Sequence, residues 1–142
     1  QTIKENYITI AYALIDTKQK TITISSAGHW PPLLIKENQN VHNHWPKCFP
    51  IGWIEDAKYE EYCISYTPGD RLLLYTDGII EARNSKNDIF GYERLEDYVI
   101  HNYHLEPQAF INNIIDDLYS WASISKNDSF SDDVTLVLVE LQ

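Results

Sequence analysis

Basic residues are scarce in this chain: 11 lysines and arginines stand against 21 aspartates and glutamates, for a net charge of −10. No Lys/Arg cluster breaks that balance, which argues against a nucleic-acid partner, since phosphate backbones are bound through such clusters. Apolar runs long enough to span a bilayer are also missing. Cysteine is limited to Cys48 and Cys63, without CxxC spacing, so neither a thiolate zinc site nor a disulfide framework is indicated, and both are expected to be reduced and structural. The histidines, His29, His42, His44, His101 and His104, form no HExxH-like ligand set and are not read as a metal cluster. Neither an internal repeat nor a low-complexity tract interrupts the sequence.

What remains is an ordinary globular composition, 44% hydrophobic and 23% charged, over 142 residues, which is one domain's worth of chain. The excess of acids has two readings, surface solubility and cation binding, and only position can separate them. The chain opens on Gln1, and a strand-like pattern starts almost at once with no signal peptide before it, so it reads as part of a longer polypeptide.

The first third is expected to be antiparallel β. Tyr7 to Ile15 and Thr21 to Ser25 are rich in β-branched and aromatic residues and flank the polar turn Asp16 to Lys20, which predicts a hairpin. Leu33 to Ile35 is a third short strand, ended by an Asn-containing turn over Lys36 to Asn40. Val41 to Ile54, with Pro46 and Pro50, reads as a loop or edge segment, and Gly52 as a position of unusual backbone angle. Tyr59 to Ser65 and Arg71 to Tyr75, joined across Pro68-Gly69, are expected to form a second hairpin.

After Asp77-Gly78 the apolar period changes from strand to helix. Ile79, Ile80 and Ala82 open a short helical turn, and two longer helices are predicted over Tyr92 to Asn102 and Pro107 to Ala122. The first places Leu95, Tyr98 and Val99 on one face, and the second Phe110, Ile111, Ile114, Ile115, Leu118 and Trp121. Val134 to Leu141 closes the chain as an apolar strand expected to be buried in a sheet. Strands, then helices, then a closing strand fit an α+β domain with helices covering an antiparallel sheet.

Two acidic positions stand at strand ends. Asp77 follows the strand Arg71 to Tyr75, and Asp132-Asp133 precede the strand Val134 to Leu141. If these strands are antiparallel neighbours, the carboxylates converge at one end of the sheet. Mg²⁺ and Mn²⁺ favour carboxylate and water oxygens, and a pair of such ions can activate water toward a phosphorus atom. The alternative is structural: Asp-Gly is a common turn, and an Asp before a strand can simply cap the loop.

The ordered segments GHxPPLL at residues 28–34, PGDxLLLYTDGIxEA at 68–82, Phe90-Gly91, and DDVTLVLV at 132–139 together resemble the PPM-type phosphatase domain of the sporulation stage II protein E family. The resemblance covers nearly the whole chain. It implies an antiparallel β-sandwich flanked by helices and removal of phosphate from phosphoserine or phosphothreonine with Mn²⁺ or Mg²⁺. It also implies a regulatory protein of the anti-anti-sigma factor type as substrate, in cytoplasmic signalling. Carried over residue by residue, Asp77 becomes a metal ligand and Asp132 a further one, with Asp133 as the fallback. Gly78 becomes a site of close backbone packing. His29 belongs to the signature and is expected to fix a loop or pack rather than to catalyse.

Complete domains of the family carry upstream Gly-Asp-x-x-Asp-like and Asp-Gly-His-Gly-like segments that supply the other ligands, and neither is in this sequence. The chain is therefore expected to be the C-terminal portion of one PPM-type domain, over residues 1–142, incomplete at its N-terminus and inactive alone. Exposed apolar surface and unpaired strand edges are expected, with self-association as a homodimer. A parent protein with a membrane-embedded module is compatible with the reading. The competing function is a pseudophosphatase or partner-binding module that keeps the fold without chemistry.

Overall fold

The computed structural model describes residues 6–43 and 48–142, so His44 and Pro46 lie outside the described residues. β1 (Ile10–Asp16) and β2 (Thr21–Ala27) form the predicted hairpin, in register from Ile10 opposite Ala27 to Asp16 opposite Thr21. Asp16 shapes the turn: its Oδ1 accepts the backbone N–H groups of Lys18 and Gln19, both at 2.9 Å. Such Asx turns are the reason Asp is favoured between strands. β3 (Leu33–Ile35) and the two-residue β4 (Val41–His42) pair across a tight turn in which Gln39 takes a φ of 66°. The Val41 to Ile54 stretch thus begins as an edge strand, as expected.

The second expected hairpin does not form. β5 (Tyr62–Ser65) pairs with β2, whereas β6 (Arg71–Tyr75) pairs with β3 on one side and β7 (Leu136–Glu140) on the other. The Pro68-Gly69 segment is therefore a crossover from one sheet to another. Its cause is Asp70, whose buried carboxylate accepts the Thr67 and Glu37 backbone N–H groups and faces the Lys36 ammonium. Those bonds tie the turn to the β3–β4 connection, and Lys36 also donates to the carbonyl of Ser65 at the end of β5, 2.8 Å away. Turn chemistry alone, Pro followed by Gly, does not distinguish a hairpin from such a crossover.

Among the described residues the strands pair with one another antiparallel, in sheets of order β1-β2-β5 and β4-β3-β6-β7. Side chains alternate across each strand, so every strand of the second sheet contributes to two layers. Leu34, Leu72 and Val139 share one face and meet Ile22, Ile24 and Ile64 of the first sheet, with Tyr66 and Leu141. Leu33, Leu73 and Leu138 share the opposite face and pack under the helices. The result is an antiparallel β-sandwich with helices on the outer face of one sheet, an α+β fold as expected.

α2 (Tyr92–Asn102) and α3 (Pro107–Ala122) have the predicted limits. Phe110, Ile114 and Leu118 of α3 and Leu95, Tyr98 and Val99 of α2 are buried in the same core. Burial of each such side chain contributes about 2 kcal/mol, enough in sum to fix the helices on the sheet. Pro107 opens α3, where its missing N–H costs nothing, and Ser123 in the left-handed conformation (φ 56°) closes it. Arg71 joins the α2–α3 connection to the sheet, donating to the carbonyls of Tyr103 and Leu105, both at 2.7 Å, and to Glu140 on β7.

β7 departs from expectation in its surroundings. It is an edge strand in which Leu136, Leu138 and Val139 are half-buried, and Val137 is 49% exposed. A run of alternating Val and Leu reads as fully buried because both faces are apolar, but only Leu136 and Leu138 face the helices. On β1, Ile10, Tyr12 and Leu14 likewise point away from the sandwich and are exposed. Cys63, expected to be structural, is exposed, while Cys48 Sγ lies 3.2 Å from the Lys58 carbonyl oxygen. Among the described residues, no helix is long and apolar enough to cross a membrane.

Candidate functional site

The site forms where the β6–β7 ladder ends. Tyr75 opposite Leu136 is its last strand pair, and the ladder is carried one step further by the Thr76 N–H donating to the Thr135 carbonyl at 3.1 Å. Because the strands are antiparallel, the exit of β6 and the approach to β7 meet at one end of the sheet. Asp77 leaves β6 there, and Asp132-Asp133 enter there. The convergence that antiparallel pairing demands is thus met at the level of the backbone.

Asp77 is the first residue of α1 (Asp77–Ile80), a single helical turn. Its carbonyl accepts the Glu81 N–H at 2.8 Å, while Ile79 and Ile80 anchor the turn in the core. The Asp77 carboxylate is left exposed. Gly78 packs directly against the opposing loop: a Cβ there would lie 2.9 Å from the Asp133 carbonyl carbon and closer still to its oxygen. Only glycine admits that approach, in agreement with the expected close packing.

The Thr76 hydroxyl spans the two segments. It donates to the Asp133 carbonyl oxygen at 2.8 Å and accepts the Thr135 N–H at 2.9 Å. Asp132 is oriented from its own chain, with Oδ1 accepting the Asp133 N–H at 2.8 Å. Both Asp132 and Asp133 are exposed. The donors brought to this corner are carboxylate oxygens, the chemistry suited to a hard divalent cation. They suit it in kind but not in number, because among the described residues no group of three or more His, Cys, Asp or Glu side chains is disposed to hold a metal ion.

The His29 segment serves the loop it sits in. The His29 carbonyl accepts the Ser26 hydroxyl at 3.0 Å, its Nδ1 lies 3.4 Å from Thr9 Oγ1, and the preceding Gly28 donates to the Cys48 carbonyl at 2.9 Å. The loop is fixed here through backbone groups, and the imidazole itself contributes the Thr9 contact. His42 stacks on Tyr62 with ring centroids 5.6 Å apart, and His101 and His104 are exposed around the end of α2. Thr76 and Asp70 lie within the signature segment at 68–82, where sequence alone assigns them no role. Thr76 stands next to Asp77 in the chain, and its hydroxyl contacts lie more than fifty residues away, at Asp133 and Thr135.

Comparison with known proteins agrees with this architecture. The family model "Stage II sporulation protein E (SpoIIE)" matches residues 1–142. Phosphoserine phosphatase RsbP of Bacillus subtilis is 37% identical over 80 residues, which cover 56% of this chain and 20% of RsbP. The SiaA-PP2C domain of Pseudomonas aeruginosa superposes with a TM-score of 0.79 at 17% identity, over 94% of this chain and 52% of that one. The phosphatase domain of the Bacillus subtilis cell fate determinant SpoIIE, from a manganese-presoaked crystal, gives a TM-score of 0.72 at 17% identity, over 99% of this chain and 60% of that one. The chain thus spans only part of each of these proteins. Since the family model matches residues 1–142, the chain belongs to the stage II sporulation protein E family.

Proposed function

We propose that this chain is the C-terminal portion of a divalent-metal-dependent protein serine/threonine phosphatase domain, and that Asp77 and Asp132 hold metal in it. The observation that carries the reading is the meeting of Asp77-Gly78 with Asp132-Asp133 at one end of the β6–β7 ladder. The membership of the chain in this family, and the name of RsbP as a phosphoserine phosphatase, support the reaction class.

Asp77 projects from a backbone fixed on both sides, by the sheet before it and by buried Ile79 and Ile80 after it. Asp132 keeps Oδ2 available while Oδ1 is held by the Asp133 N–H. Asp133 is the fallback ligand, anchored through its carbonyl. Mn²⁺ or Mg²⁺ bound there supplies activation of water and neutralisation of phosphoryl charge. Such ions take about six oxygen ligands, so acids outside this chain would complete the coordination. The substrate class is a phosphoserine- or phosphothreonine-bearing regulatory protein of the anti-anti-sigma type, acted on in the cytoplasm.

The test is Mn²⁺-dependent hydrolysis of a phosphoserine protein by the full-length protein containing this chain. Asp77→Ala and Asp132→Ala are each expected to abolish turnover. Undiminished turnover in either variant overturns its assignment. A folded wild-type protein that binds the phosphoprotein without hydrolysing it would instead identify a pseudophosphatase.

A further inference from the structure

We propose that Thr76 is the positioning residue of this site: its hydroxyl sets the separation of the two acid-bearing segments. This rests on the metal reading of Asp77 and Asp132. A single oxygen acts as donor to the Asp133 carbonyl and as acceptor for the Thr135 N–H, at 2.8 and 2.9 Å. One residue further along each segment stands a candidate ligand. Asp77 follows Thr76 directly, and the Asp133 N–H holds Oδ1 of Asp132. A path therefore runs from the Thr76 hydroxyl through the Asp133 backbone, from its carbonyl across Cα to its N–H, to the Asp132 carboxylate.

Backbone pairing cannot replace this device. The strand ladder proper ends at Tyr75 opposite Leu136, and beyond it the Thr76 N–H to Thr135 carbonyl bond is the last backbone bond between the segments at this end. Without the hydroxyl, the Asp133 carbonyl and the Thr135 N–H lose the partner that turns residues 133–135 toward β6. Gly78 then limits how close the loop can come, and Thr76 limits how far it can move away. Loss of a group that orients metal ligands typically costs about 10- to 100-fold in metal affinity.

The probe is Mn²⁺ alone, with its affinity for the full-length protein read from the paramagnetic resonance signal of the free ion, beside the melting temperature without metal. Thr76→Val, close in volume but with no hydroxyl, is expected to weaken Mn²⁺ binding about 10-fold, and Thr76→Ser to restore it. A merely structural role would lower the melting temperature and leave affinity in the folded protein unchanged, and that result overturns the proposal. If Thr76→Val does not fold, Thr76→Ser against Thr76→Cys gives the same comparison, since a thiol is a much weaker hydrogen-bonding group; equal affinities there overturn it too. Asp77→Asn separates the two levels. If it leaves Mn²⁺ affinity intact, the metal reading fails, whereas loss in Asp77→Asn with no change in Thr76→Val defeats the positioning role alone.

Discussion

Lys36 Nζ lies 2.9 Å from Oδ2 of Asp70, and the Asp70 side chain is buried beneath the crossover between the two sheets. Burial by itself would raise the Asp70 pKa, but the Thr67 N–H, the Lys36 ammonium and the Glu37 N–H together outweigh it and hold the carboxyl below its ordinary value of 3.8. One carboxylate thereby ties the β5–β6 crossover to the β3–β4 turn. It is the reason the Pro-Gly segment changes sheets.

Asp70→Asn is expected to lower the unfolding free energy at neutral pH by about 2 kcal/mol, through loss of the charge on the carboxylate that Lys36 and two backbone N–H groups hold. The folded pKa is depressed, so the stabilisation is full above the ordinary value of 3.8 and is lost as pH falls below that value through the lower folded one. Urea unfolding of both proteins should therefore converge in strong acid. A gap between them that persists there would assign the effect to packing rather than charge.

Gly78→Ala tests the close approach of the two acid-bearing segments. The added methyl collides with the Asp133 peptide, which is backbone and itself bonded to Thr76. The expected cost is about 2 kcal/mol, typical of overpacking where neighbours cannot yield. Faster amide exchange should accompany it at Thr135, whose N–H is held by the Thr76 hydroxyl. Unchanged stability and exchange would mean that the loop yields freely.

Much of this architecture is legible in the sequence, for reasons that specific residues make plain. The α3 limits follow from Pro107 and from the spacing of Phe110, Ile114 and Leu118, which are local signals. The first hairpin follows from two alternating runs around Asp16. The partners of β5 and β6 do not, because they are set by Asp70 contacts with Lys36 and Glu37, more than thirty residues away. The same limit applies at the site. Asp77 and Asp132 stand out as acids at strand ends, while Thr76 acquires a role only when the structure brings Asp133 and Thr135 against it.

Arg71→Met is expected to free the end of α2 while keeping the apolar stem of the side chain. The guanidinium holds the Tyr103 and Leu105 carbonyls and Glu140, and it lies 5.1 Å from the Tyr103 ring centroid. Orphaned carbonyls after a helix are costly when no other donor reaches them. A loss of about 2 kcal/mol should appear in denaturant unfolding, with hydrogen exchange accelerated in the last turn of α2 and unchanged in α3. Uniform acceleration in both helices would show that Arg71 supports the whole layer instead.

The helical layer should also fail at high pH through its tyrosines. Burial, reinforced by the Asp117 charge, pushes Tyr98 up to about 12, and burial likewise pushes Tyr92 up to about 12, with Glu96 adding to it against the opposing Asn43 bond. Tyr98 donates its hydroxyl to the Phe110 carbonyl at 2.7 Å, a bond that ionisation destroys. A folded pKa above the ordinary 10.0 means that the contribution to stability is full below that pH and declines as pH rises from 10.0 toward 12. Tyr98→Phe should cost about 1 kcal/mol at neutral pH and show a shallower alkaline decline than the wild type. Phenolate absorbance followed alongside denaturant unfolding checks this, and an alkaline decline as steep in Tyr98→Phe as in the wild type would place its origin away from the α2–α3 contact.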